Sequence, residues 1–271
     1  MSRSRPELLS VGIAGAGYAV AWRDAPGAAP VLLAAAWDVR GSASPAPDWA
    51  EWRQGLAGVV PGRARVTIAA DLVRWWTVEA PRGTRSLDEL RQVAALRFEQ
   101  LFDRPSSEWA LVGNWSAGAS SVCCAVPQGL AAGLRQAGDG WRLLDVAPTA
   151  TRLRQRSGPA PEPRDAPWIW ASLLLDRATL WWHRRGEVFK VGTLAVDSAD
   201  PWRRIVEELH RVGSLWPDGA LPQELHWASA APVPAFAATT LRAVRRDTEA
   251  PSTAPPPDRS AATVAAEIGC A

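Results

Sequence analysis

The sequence predicts an α/β chain with mixed sheets, folded as two lobes of the same plan, and three observations predict it. A strand-strand-strand-helix-strand order occurs twice. A proline-rich stretch, Arg156-Ser157-Gly158-Pro159-Ala160-Pro161-Glu162-Pro163, separates the two occurrences and cannot hold regular structure. The 271 residues, 47% hydrophobic and 21% charged, suit a folded globular chain with a sizeable core rather than a disordered one.

In the first occurrence Leu8–Ala14, Tyr18–Arg23 and Val31–Asp38 read as strands between Gly, Asp and Pro turns. Trp49–Leu56 reads as a short helix capped by Asp48, and Pro61-Gly62 closes the unit ahead of a strand at Arg65. The run Val66–Val78 then reads as two strand segments. Ser86-Leu87-Asp88-Glu89 is a capping box, because the hydroxyl can take an orphan amide of the first turn while the carboxylate reaches back. Leu87, Leu90, Ala94, Phe98 and Leu101 follow at helical spacing, which predicts one inward face. Beyond it, Trp109–Trp115 and Ser120–Val126 read as a hairpin, Gly129–Ala137 as a short helix and Trp141–Val146 as a strand stopped by Pro148.

In the second occurrence Trp168–Leu175, Thr179–His183 and Val188–Leu194 read as strands joined by turns at Asp176-Arg177 and Arg185-Gly186. Pro201–Val212 reads as a helix and Glu224–Ser229 as a strand. The expected organisation is a first lobe over 1–155 with an inserted hairpin and helix, a linker over 156–166, a smaller second lobe over 167–245 and a disordered tail over 246–271.

Bulk charge gives no strong field to recruit nucleic acid or an anionic membrane and is otherwise uninformative about partners: 30 Lys+Arg against 28 Asp+Glu leave +2, and the arginines are scattered. Cys123, Cys124 and Cys270 have neither metal-ligand spacing nor a disulfide framework; on a strand the adjacent pair points to opposite faces, as small buried hydrophobes do. Leu8–Trp22 is shorter than the ~18 residues of a membrane span, and its glycines weaken it further. Arg3 and Arg5 imitate a signal peptide, but Pro6, Glu7 and Arg23-Asp24 fit strand-turn-strand better. The expectation is a cytoplasmic chain without a span of its own.

The segments "LVRWWTV", "SLDELRQVAALRFEQLF", "EWALVGNW", "CCAVPQGLAAGL" and "LLDVAPTA" resemble the actin-like cytoplasmic assembly proteins of type IV pilus and type II secretion machines, the PilM-like and GspL-like family, over about residues 8 to 230. The resemblance implies an actin-like, duplicated ribonuclease H-like fold. It further implies a scaffold peripheral at the inner membrane that binds the cytoplasmic segment of an integral, PilN-like partner and, in addition, a secretion ATPase. Arg74 matches an arginine of the family's "VR-aromatic" strand, which implies a carboxylate anchor; an ordinary strand-surface arginine is the alternative. Arg74, Trp75 and Trp76 are the partner-binding candidates, since paired tryptophans cannot share a face and one of them can reach an edge able to receive a peptide strand.

Actin-like ATPases cradle phosphate in the first hairpin of each lobe. Here the first hairpin offers Gly12, Gly15 and Gly17, but Ala14 or Ala16 stands where the metal-linked aspartate is expected. The second keeps Asp176 and Thr179 but places bulky Arg177 in the turn. Gly12, Gly15, Gly17, Asp176 and Thr179 are therefore candidates for a vestigial phosphate site, and the expectation is no cofactor, with ATP and magnesium as the alternative.

Gly15-x-Gly17-x-x-Val20 lacks the third glycine and the helix of a dinucleotide fingerprint, and Lys190, the only lysine, is followed by Val191, which excludes a Walker motif. His183, His210 and His226 accompany no nucleophile elbow or His-Glu-x-x-His helix, so no catalytic constellation is visible and the expected protein is not an enzyme. Sixteen tryptophans raise single-stranded nucleic-acid stacking as a third reading. Alternation favours core filling, with Trp168 and Trp170 on one face.

Overall fold

Two five-stranded sheets with one and the same strand order organise the protein, seen here in a computed structural model that describes residues 8–22, 31–36, 63–115, 120–137, 142–157, 166–213, 222, 224–229 and 242–246. In chain order the elements are β1 (Leu9–Ala14), β2 (Gly17–Trp22), β3 (Val31–Ala36), β4 (Arg63–Ile68), β5 (Arg74–Glu79), α1 (Leu87–Phe102), β6 (Trp109–Gly113), β7 (Ser120–Pro127), α2 (Gln128–Ala137) and β8 (Arg142–Pro148). There follow α3 (Thr149–Arg156), β9 (Trp168–Leu174), β10 (Arg177–Arg184), β11 (Glu187–Ala195), α4 (Pro201–Gly213), β12 (Glu224–Ser229) and β13 (Arg242–Arg245).

The first sheet runs β3-β2-β1-β4-β8 and the second β11-β10-β9-β12-β13. In each, the first three strands pair antiparallel and the fourth and fifth add in parallel. That shared topology is the duplicated ribonuclease H-like plan. A third sheet, β5-β7-β6, is inserted with α1 between β4 and β8 of the first. The predicted helix over Trp49–Leu56 and the tail beyond Arg246 lie outside the described residues.

Central strands β1 and β9 are buried along their whole length, as strands covered on both faces must be. Their alternate residues feed different cores. Leu9, Val11 and Ile13, with Val66 and Ile68, pack under Leu130 and Leu134 of α2. Ile169, Ala171 and Leu173, with Leu180 and Trp182, pack under Trp202 and Ile205 of α4. The opposite faces of the two sheets meet each other: Ala14, Ala19 and Ala21 of the first, and Ala150 and Leu153 of α3, pack in one cluster with Trp168, Trp170 and Trp181 of the second. Small residues on one side leave room for large rings on the other.

Local chemistry explains α1. Ser86 Oγ accepts from the Glu89 amide at 3.2 Å, and Glu89 Oε2 reaches back to the Arg85 amide at 2.7 Å. Leu90, Ala94 and Phe98 are buried, but Leu87 and Leu101 are 51% and 47% exposed. Both lie within the apolar row but at its ends, Leu87 as the first residue of the helix and Leu101 as the last but one. Phe98 packs its ring at a tilt against Trp76, Phe102 and Trp109 at centroid distances of 5.3, 5.0 and 5.4 Å, in the core of the insertion.

Two elements were not expected from the sequence. Pro148 is the N-cap of α3, a helix that runs to Arg156, where the linker was expected to begin, and the Thr149 hydroxyl donates to the Ile68 carbonyl at 3.0 Å. Strand β13 extends the second sheet by one strand beyond Glu224–Ser229, paired in parallel along β12.

Candidate functional site

The candidate site is the junction where the β1–β2 turn, the segment after β4 and the start of β10 converge. A single turn of 3-10 helix, Ala70–Leu72, follows β4 and lies against both β1 and β10. It is held in place by the Ala69 amide, which donates to the Ile13 carbonyl at 2.7 Å.

In the first hairpin, Gly15 occupies the turn and its amide donates to Asp71 Oδ2 at 2.8 Å. A Cβ on Gly15 would stand 2.8 Å from that same oxygen, so glycine is what allows the carboxylate to approach. The other Asp71 oxygen is buried without a hydrogen-bond partner among the described residues. Gly12 lies inside β1, opposite Ala19 and Thr67, and Gly17 is the first residue of β2. Of the three glycines, then, Gly15 alone is placed in the turn. The turn amide already has an anion, and that anion belongs to the protein.

In the second hairpin, Leu175 adopts a left-handed φ of 47°, and Asp176 follows it with a largely exposed side chain 3.9 Å from Arg177 Nε. Thr179 is buried and its hydroxyl pairs with that of Thr193 at 3.1 Å, across to β11 rather than into the turn. Asp176 and Thr179 therefore do not face a common ligand.

Arg74 opens β5. Its Nη1 donates to the carbonyls of Asp71 at 3.0 Å and Val73 at 3.3 Å, while its guanidinium lies 5.6 Å over the Trp109 ring. Burial first, then the Arg177 guanidinium, lower its pKa; Asp71 opposes and Arg104 adds to the depression. Sequence reasoning had no signal for this grouping, since the four residues come from separate elements.

Trp75 and Trp76 do point to opposite faces, yet neither lies open to a peptide. Trp76 is 2% exposed inside the insertion, and Trp75 meets Trp181 edge-on at 5.8 Å in the core between the lobes. The outer edge of β5 is also taken: it runs beside β11, and the Thr77 hydroxyl donates to the Phe189 carbonyl at 3.1 Å. The peptide-receiving edge expected at Trp75-Trp76 is thus closed by the second lobe.

Of the histidines, His183 and His226 are buried. His183 stacks face to face on Trp168 at 3.7 Å, and burial, with Arg154 and His226 nearby, pushes its pKa down to about 3. His226 accepts at Nδ1 from Arg246 Nε, which leaves Nε2–H to donate to Glu224, both at 2.9 Å. Burial raises the Cys123 thiol to about 12 and the Cys124 thiol to about 11. Among the described residues no three His, Cys, Asp or Glu side chains group as metal ligands, and no helix is long and apolar enough to cross a membrane.

No family profile matches the chain, and no curated protein matches it. Solved structures do. The cytoplasmic domain of EpsL, an inner membrane component of the type II secretion system of Vibrio cholerae, is 13% identical, with a TM-score of 0.51 over 96% of this chain and 93% of that one. A Bacteroides thetaiotaomicron protein with an actin-like ATPase fold is 13% identical with a TM-score of 0.47, covering 83% and 82%. A PilM–PilN type IV pilus biogenesis complex is 16% identical with a TM-score of 0.49 over the same shares. The fold is actin-like, and it extends along almost the whole of the EpsL domain.

Proposed function

We propose that the chain is a non-enzymatic scaffold of a type IV pilus or type II secretion-like inner-membrane assembly platform, cytoplasmic and peripheral at the membrane, where it binds the cytoplasmic segment of an integral PilN-like partner and contacts a secretion ATPase. One observation carries the non-enzymatic part: the Asp71 carboxylate occupies the Gly15 amide at the turn where an actin-like ATPase holds phosphate. The filling of the space between the lobes by Trp168, Trp170 and Trp181 supports it, because a nucleotide between the lobes would have to displace that core. The platform part is supported by the fold shared with an inner membrane component of a secretion system.

Purification of the tagged chain from crosslinked native membranes, with mass spectrometry of what accompanies it, tests the platform. A single-span inner-membrane assembly protein or a secretion ATPase is the expected companion, and a clean, soluble bait removes the reading. Magnesium-ATP tests the alternative: a nucleotide-binding protein melts higher as millimolar nucleotide is added, whereas the scaffold shows no shift.

A further inference from the structure

We infer that the outer edge of β8 is a docking site for an extended, acidic protein segment that joins the first sheet as a further strand. The inference deepens the scaffold reading by naming the chemistry of the partner, and it rests on that reading. β8 ends the strand order of its sheet, and its far side pairs with no strand among the described residues. An edge of this kind presents unpaired backbone N–H and C=O groups to any strand that can match them.

The two faces of that edge differ in chemistry. On β4, alternation puts Ala64, Val66 and Ile68 in the core under α2 and Arg63 and Arg65 on the other face. β8 follows in register: Leu143 and Val146 stand opposite Ala64 and Val66, Arg142 opposite Arg63 and Asp145 opposite Arg65, with Leu144 as the extra residue of a bulge. Val146 and Leu144 are 41% and 40% exposed, which gives the edge an apolar rim.

The other face carries charge. Asp145 is already engaged, since Arg152 of α3 donates to it from Nη1 at 2.9 Å and Arg65 Nε lies 3.7 Å away. Arg63 and Arg142 are exposed, are direct partners on neighbouring strands, and make no hydrogen bond or ion pair among the described residues. Neighbouring strands lie about 4.8 Å apart, so guanidiniums based on Arg63 and Arg142 repel each other until a carboxylate joins them. A strand alternating acidic and apolar residues complements both faces at once, with carboxylates over the arginines and apolar side chains beside Val146 and Leu144. A small anion would use the arginines and leave the backbone edge and the rim idle.

The test is fluorescence anisotropy of the full chain with a fluorescein-labelled peptide of three Glu-Val repeats. Its competitors are three Gln-Val repeats, hexaglutamate, and the Glu-Val peptide N-methylated either at its glutamates or at its valines. The expected result is saturable binding that weakens with salt, with the Gln-Val peptide and hexaglutamate competing about tenfold less well than unlabelled Glu-Val peptide. Alternate amides of a strand point to opposite edges, so one of the two methylated peptides fails to compete and the other competes normally. Arg63→Gln/Arg142→Gln, outside the ion pairs of Asp145, weakens binding about tenfold at unchanged melting temperature. Val146→Asp, which sets a like charge on the rim, weakens it too.

Binding indifferent to the Arg63→Gln/Arg142→Gln pair overturns the docking site. So does hexaglutamate competing as well as the alternating peptide, which makes the contact a general polyanion effect, and so do two methylated peptides that both compete, which excludes strand addition. Absent Glu-Val binding alongside recovery of a platform component from membranes overturns the docking site and leaves the scaffold reading intact. Arginine-dependent, methylation-sensitive binding without any platform component overturns the scaffold reading and upholds the acidic-strand site.

Discussion

Gly15 and Asp71 are 56 positions apart, and the backbone amide of the first donates to the carboxylate of the second at 2.8 Å. A hydrogen bond to a charged acceptor contributes about 1.5–3 kcal/mol, so Asp71→Ala is expected to destabilise by about that much in urea unfolding. Gly15→Ala should match it, because the new Cβ would displace the same oxygen. The double variant should cost no more than the worse single one. Additive losses would mean that the two residues act separately.

Trp181 joins the cluster between the lobes and meets Trp75 edge-on. Trp181→Ala is expected to cost about 3–5 kcal/mol through cavity and contact loss. A cycle with Trp75→Ala isolates the ring-to-ring contribution at about 0.5–1.5 kcal/mol. Zero coupling would place the contact outside the energetics of the junction.

His183 supplies a pH signature. Its folded pKa, about 3, lies below the ordinary value of 6.5, so the unfolded chain takes up the proton first. The contribution is therefore fully present above pH 6.5 and is lost as pH falls from there toward 3. Over that window the unfolding equilibrium of the wild type should shift by up to roughly tenfold per pH unit relative to His183→Phe, which keeps the stack on Trp168 without titrating. Parallel pH profiles for the two proteins would contradict the burial of a neutral imidazole. Arg154 and His226, both close by, act in the same direction.

The two neighbouring cysteines should be inert. With thiols raised to about 12 and about 11, Cys123 and Cys124 hold almost no thiolate at pH 8, and alkylation mapped by mass spectrometry should mark them only after denaturation. Rapid native labelling of either would show the insertion opening.

Much of this architecture is legible residue by residue. Trp168 and Trp170 share a face because strands alternate, and Trp75 and Trp76 part for the same reason. Ser86 and Glu89 announce α1 through local spacing alone. What stays hidden depends on distance along the chain. The placing of Asp71 in the Gly15 turn is a tertiary event with no local signature. The closure of β5 by β11 likewise removes an edge that looks available in the sequence. Helix α3 has eight residues and only Ala150 and Leu153 as buried apolar positions, too few to stand out as a period beside a proline-rich stretch.

That short helix has a mechanical consequence. It touches strands of both sheets, the Ser172 hydroxyl donates to its Ala150 carbonyl at 3.2 Å, and Ala150 and Leu153 lie in the same tryptophan-filled core. In a nucleotide-driven clamp the connecting segment flexes as the halves swing; here the helix that begins the connection packs against both sheets. A change in the angle between the two sheets would have to break the contacts this helix makes with both.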